Sequence, residues 1–328
     1  MATSGSFNYS LTAANIIDMA VENLGVLASG GTIVAADQTM ALRRLNVIAK
    51  QFQGNADMGR GLKVHTRQRV TLFLAEGQHT YLIGPASSDA RATTRYGRTT
   101  VDAAEAAGQT VISVTATSDT TTEPGNTITA TASDIIGIEQ NDGTIFWSTV
   151  SSISAGDTIT IAAGLDVAAA VGNYVWWFTS RAQRFPVIES AVLRNESFND
   201  SPVDVYTEAA QYDLLVADKY ADGKPTAILV EPLRITTRVI LNSQPTDVTD
   251  TLVLTVLYPA EDYDATTDDI AFPQEWLRPL AWELSRELAP AFGAVWTPVM
   301  EALRRDSLAI AQNLNAEQSA LYFTPGAP

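Results

Sequence analysis

A chain of 328 residues has room for two domains, or for one domain with an insertion, and its 46% hydrophobic and 18% charged content describe a folded polypeptide. A formal net charge of −16 argues against wrapping nucleic acid by phosphate neutralisation, and the lack of any cysteine excludes disulfides, thiol catalysis and cysteine-bound zinc. No apolar run approaches the roughly 20 residues of a membrane span, and the opening MATSGSFNYS has neither the basic region nor the apolar core of a secretory signal, so a cytoplasmic origin without membrane contact is expected.

In chain order, Thr12 is placed to cap a helix in which Ile16, Met19, Ala20 and Leu24 share a face, with Gly25 just past its end. After a glycine loop at Gly30 and Gly31, a second helix is predicted from about Ala35 to Phe52. Met40, Leu45, Ile48 and Phe52 point inward there, and Arg43, Arg44 and Lys50 do not. Together these form an antiparallel hairpin. Alternation from Val64 to Leu74, a turn at Glu76-Gly77 and β-prone residues Thr80 to Ile83 predict a β-hairpin that Gly84-Pro85 ends.

Charge then marks a boundary. Residues 61–100 carry six basic and two acidic side chains, whereas Thr99 to Ser180 holds nine carboxylates and no Lys or Arg. That stretch reads as short strands separated by Pro124-Gly125, Asn141-Asp142-Gly143, Gly156-Asp157 and Gly172-Asn173, a sandwich-like module inserted into a host domain. Trp176-Trp177-Phe178 reads as strand core with one exposed ring, a sugar-binding platform being the alternative. From Val187 to Tyr258 the host strands resume, with a short helix around Tyr212 to Tyr220 and a turn at Asp222-Gly223-Lys224-Pro225.

Near the C-terminus, Trp276, Leu280, Leu284 and Leu288 recur four apart within Ile270 to Gly293, while Glu283, Arg286 and Glu287 fall on the opposite side. An aspartate of the preceding acidic run is expected to cap this helix, and Pro279 to divide it into a short turn and the helix proper. A last helix starts at Pro298, with Met300, Leu303, Ile310 and Leu314 inward and Arg304-Arg305 outward. Helices at both ends around a β-rich middle predict an α+β fold: a four-helix bundle from both chain ends and a central antiparallel β-domain carrying the inserted module. The domains are then 1–60, a helical hairpin; 61–99 with 181–269, the β-domain; 100–180, the module; 270–316, the second helical hairpin; and 317–328, a C-terminal arm.

Chemistry is sparsely marked. His65 and His79 stand in separate strands without zinc spacing, so no metal, cofactor or catalytic residue is assigned. The acidic residues Glu261, Asp262, Asp264, Asp268 and Asp269 lack the central glycine of a calcium loop and read as a solvated loop. The sequence contains no nucleophile elbow, Walker loop or dinucleotide fingerprint. Arg91, Arg95 and Arg98, around Tyr96, suit a protein interface better than a nucleic-acid patch.

Several segments taken in order resemble one family. They are Thr12-Ala13-Ala14-Asn15-Ile16-Ile17, Leu24-Gly25-Val26, Gly30-Gly31, Ala36-Asp37, Leu42-Arg43-Arg44-Leu45-Asn46 and Gln51-Phe52, then Gly77-Gln78-His79-Thr80-Tyr81, Tyr212, Lys219 and Asp222-Gly223-Lys224-Pro225-Thr226, and finally Phe272-Pro273-Gln274-Glu275-Trp276 and Leu288-Ala289-Pro290-Ala291-Phe292-Gly293. The pattern is similar to the head-to-tail adaptors of short-tailed bacteriophages, also called tail accessory factors or packaged-DNA stabilisation proteins, over about 1–85 and 181–316. The resemblance implies a virion ring, a dodecamer of this chain, between the portal ring and the next tail component (nozzle or fibre), extending a channel that DNA crosses without sequence-specific binding. Subunit contacts are expected at Arg43, Arg44, Arg91, Arg95, Arg98, Glu283, Arg286 and Glu287. The apolar tail residues Leu321, Tyr322 and Phe323, with Pro325, are expected to form an arm reaching the portal. Alternatives are a virion enzyme that cleaves cell wall and a glycan-binding adhesin built on the module.

Overall fold

The structure is a computed structural model that describes residues 9–27, 31, 33–54, 67–85, 90–91, 96–122, 125–215, 220–258 and 261–314. Its chain begins with α1 (Ala13–Asn23) and α2 (Ala35–Gly54), continues through β1 (Arg67–Phe73), β2 (Thr80–Ile83) and β3 (Ala90–Arg91), and enters the acidic stretch at β4 (Gly97–Thr100). There follow β5 (Val111–Ser113), β6 (Ser118–Asp119), β7 (Ile128–Thr129), β8 (Ile135–Glu139), β9 (Ile145–Ser154), β10 (Thr158–Ile161) and β11 (Tyr174–Phe178). Next are β12 (Val187–Arg194), β13 (Asp200–Tyr206), α3 (Ala209–Leu215), β14 (Ala227–Pro232), β15 (Thr237–Leu241) and β16 (Thr251–Leu257). The last described elements are α4 (Gln274–Leu288) and α5 (Pro298–Leu314). Two compact units result: one holds α1, α2, α4 and α5, and the other spans Arg67–Tyr258.

The expected α+β fold with a four-helix bundle is corrected on both counts: the chain is mainly β, and the terminal helices do not form such a bundle. In the helical unit α4 is the centre, packed by α1, α2 and α5. A bundle needs every helix to direct an apolar stripe into one shared core. Here α1, α2 and α4 supply Ile16, Ile17, Leu45, Ile48, Trp276, Leu280 and Leu284, whereas α5 contributes only Ala311 among its fully buried apolar residues. Phe52 meets Trp276 edge-on at 5.3 Å between ring centroids.

Pro279 lies inside α4, which runs unbroken through it. A helix-interior proline lacks a hydrogen bond and commonly costs ~3 kcal/mol; the buried Trp276, Leu280, Trp282, Leu284 and Leu288 offset that. Neither aspartate caps α4, because Pro273 takes the N-cap position. The acidic loop instead serves α1. Carbonyls of Thr266 and Asp268 accept from the Ala14 and Ala13 amides at 2.8 and 2.9 Å, satisfying donors that a helix leaves free in its first turn. The Asp268 carboxylate accepts from the Asp264 and Ala265 amides, closing the loop on itself.

In the other unit, an eight-stranded sheet runs β2-β15-β14-β13-β12-β16-β1-β3, and a six-stranded sheet runs β4-β11-β8-β9-β10-β5. All pairs are antiparallel except β13 and β14, whose crossover contains α3. The predicted β1–β2 hairpin does not form: β2 pairs with β15, near the opposite edge from β1. Six strand spacings of about 4.8 Å would put β1 and β2 about 29 Å apart in a flat sheet. The link from Phe73 to Thr80 reaches only about 25 Å, so the eight-stranded sheet has to curl.

The acidic module sits on β1 through an aromatic layer. The Phe73 ring lies 5.3, 5.5, 5.8 and 5.7 Å from the rings of Tyr96, Trp147, Trp176 and Phe178. Because β11 is covered on both faces, Trp176, Trp177 and Phe178 are all buried. Trp177 enters the module's own core, while Trp176 and Phe178 enter the layer against Phe73. This corrects the expected exposed ring and removes the sugar platform. A Cβ at Gly97 would lie 2.1 Å from the Trp177 indole, so only glycine lets β4 pass beneath it.

Candidate assembly surface

The sequence assigned interface roles to charged residues on α2 and α4, and the structure distributes them in different ways. Glu283 is not on an outer polar face: it is 9% exposed and receives Arg304 from α5. Arg304 also donates to Glu301 at 3.0 Å through Nε and at 2.9 Å through Nη2, and Arg305 and the Trp296 indole N–H donate to the same carboxylate. Arg304 and then Arg305 hold the Glu301 carboxyl well below the usual carboxylate range, and Glu301 in turn raises Arg304. Arg286 stays half-exposed, 3.5 Å from Glu283 and 3.7 Å from Glu287, within α4's own surface.

This inward turn of Arg304 rotates the buried face of α5 by about 60° from the expected stripe. Its buried face consists of Ser307 and Ala311, with Met300, Arg304 and Leu308 at the margins, small residues that let α5 approach α4 closely. Val299, Leu303, Ile310 and Leu314 are 68, 37, 57 and 67% exposed. Positions 299, 303, 310 and 314 fall within an arc of about 60° at 100° per residue, so they form one aliphatic stripe on the outside. Sequence reading missed it because it ranked residues by hydropathy. The available signal was the small residues Ser307 and Ala311 four apart, which share one face and let another helix approach closely.

Arg43 and Arg44 border a hollow of about 200 Å³ lined by Arg43, Arg44, Val47, Ile48 and Gln51 of α2 and Glu287 of α4. Arg44 Nη1 donates to the Glu287 carbonyl, closing one end. Val47 in its lining is 57% exposed, whereas Ile48 beside it is buried.

Among the remaining predicted residues, Arg98 is committed within its own unit. Its guanidinium lies 5.5 Å from the Tyr174 ring centroid and 6.0 Å from that of Phe198, and its amide donates to Asp119 Oδ2 at 3.0 Å. Tyr174 donates to Glu196 at 2.6 Å, and that bond foremost pushes its phenol up to about 12. Arg91 belongs to the short β3, paired with Thr71 of β1. Its side chain, Arg95, and the arm residues Leu321, Tyr322, Phe323 and Pro325 lie outside the described residues. No group of three His, Asp or Glu side chains among the described residues could hold a metal ion, and no described helix is long and apolar enough to cross a membrane.

Comparison with known proteins adds little. No protein-family model matches the chain, and no curated protein matches it. Among solved structures, VP17, a capsid protein of bacteriophage P23-77, aligns over 63% of this chain and 78% of its own at 9% identity, with a TM-score of 0.16. A likeness of that degree carries no argument about fold or function.

Proposed function

We propose that this chain is a structural subunit of a short-tailed phage virion, one copy in a ring that adapts the portal to the tail and extends the DNA channel. The series of segments from Thr12 to Gly293 that resembles the adaptor family supports this reading. The observation that carries it is the outward aliphatic face of α5. A chain acting alone gains nothing by leaving Val299, Leu303, Ile310 and Leu314 in water, whereas a subunit buries such a face on assembly. The net charge of −16 suits a channel that DNA must cross without adhering, since like charges repel.

The test is to mix the purified full chain with portal rings of the same virus and image the product. A ring of this chain beneath the portal, continuous with its channel, is the expected result. Failure to bind the portal, or lysis of peptidoglycan in a zymogram by the chain alone, would replace the adaptor with a different virion role.

A further inference from the structure

Two features of the helical unit are each incomplete, and they match. One is the ridge on α5: Val299, Leu303, Ile310 and Leu314, about 22 Å long at 1.5 Å per residue, with exposed Asp306 about 20° beyond its edge. The other is the hollow between α2 and α4, with exposed Val47 and Arg43 in its lining. Asp306 and Arg43 have no ion-pair partner among the described residues, although Lys50 pairs with Asp262 and Arg305 with Glu301 on the same unit. An aliphatic ridge beside a carboxylate that is unpaired among the described residues therefore lies exposed on a unit that also offers a hollow where Val47 and Ile48 sit among Arg43, Arg44, Gln51 and Glu287.

We infer that the α5 ridge of one copy docks in the α2/α4 hollow of the next, with Ile310 over Val47 and Asp306 meeting Arg43. The occupant is a second copy of this chain because one subunit carries both halves of the match, an aliphatic ridge beside Asp306 and a hollow with Val47 beside Arg43. The contact joins two different patches, so it is heterologous: each copy uses its ridge on one neighbour and its hollow on the other. Such a contact closes into a ring or continues as a filament and cannot stop at a symmetric dimer. The inference rests on the reading of the chain as a ring subunit and supplies the residues that would join its copies.

The absence of cysteine makes a clean test possible. Full-length chains bearing V47C alone and I310C alone are prepared and oxidised separately and as a mixture, at rising protein concentration. Both positions are exposed, so neither change disturbs the core. The expected product is a disulfide-linked dimer in the mixture, with little in either protein alone, because a disulfide needs Cα atoms within about 7 Å. Adding R43E to the first chain, or D306R to the second, should lower the yield up to about five-fold, and combining both should restore it. A dimer formed by I310C alone, no hetero-dimer at any concentration, or a hetero-dimer that appears only after residues beyond Asn315 are removed would each overturn the inference. The last result would assign the ridge to the chain's own tail. Cross-linking without portal binding would leave this contact standing and remove the adaptor reading; ring formation on the portal without cross-linking would do the reverse.

Discussion

Arg304 of α5 is turned inward onto Glu283 of α4, and each side chain is only 12% exposed. The pair sets the rotation of α5 about its own axis: with Arg304, Ser307 and Ala311 against α4, the larger aliphatics have to lie outside. A buried ion pair adds little net stability over an apolar contact, yet removing one partner is costly. The exposed ridge is therefore tied to a charged contact at α5's buried face.

We predict that R304M destabilises the helical unit by about 2–3 kcal/mol, because Glu283 loses its closer counter-ion and keeps only the half-exposed Arg286 at 3.5 Å. Adding E283Q should recover most of that loss. Urea unfolding followed by near-ultraviolet circular dichroism is suited to the measurement, since Trp282 and Trp296 lie edge-on at 6.3 Å between α4 and the start of α5. An unchanged midpoint for R304M would show that the ion pair does not hold α5.

A second prediction concerns acid. Glu301 has a folded-state pKa below its unfolded value of about 4.3, so the stability it contributes is full above that value and is lost as pH falls through the depressed folded one. The wild-type chain should exceed E301Q in stability by a constant margin from pH 7 to 5, and the margin should close at lower pH. Thermal melts of the two proteins across that range decide it. A margin that widens toward acid would contradict the sign.

Phe73 is fully buried among four aromatic rings, where β1 meets the acidic module. We predict a cost of about 3–5 kcal/mol for F73A, the usual range for a large aromatic deleted from a core. Hydrogen exchange should show β8 and β11 losing protection before α1 and α4 do. Equal loss in both units would mean that the aromatic layer does not hold the module locally.

At Gly97, a methyl group would overlap the Trp177 indole. G97A should destabilise the six-stranded sheet by about 1–3 kcal/mol, the range for overpacking. The second substitution W177F should relieve part of the cost by making room. Denaturation of G97A, W177F and the double variant gives the coupling; strict additivity would argue that the two residues do not compete for the same space.

Local patterns were legible wherever the signal was short-range. Thr12 receives the Asn15 amide as the N-cap of α1, Gly25 follows that helix with φ +69°, and the spacing in α2 and α4 identifies Leu45, Ile48, Trp276, Leu280 and Leu284 as buried. These depend on backbone geometry and on one stripe facing one core, both of which are written in neighbouring residues. Arg43 and Arg44 were also visible as charges off the buried stripe of α2, although the hollow they border was not.

What the tertiary structure alone decided depends on partners far away in the chain. Hydropathy placed Leu303, Ile310 and Leu314 inside, but Glu283, some twenty residues away on another helix, brings Arg304 inward and sends them out. Alternation predicted a β1–β2 hairpin, but β15 claims β2, and only long-range pairing determines strand order. Trp176, Trp177 and Phe178 on a half-covered strand would leave one ring exposed; the aromatic layer around Phe73 covers the second face. The sequence by itself determined which segments are helix or strand and that the chain is acidic and free of cysteine. Which faces of those segments remain exposed was decided only by packing, because a side chain is buried by what meets it and not by its own hydropathy.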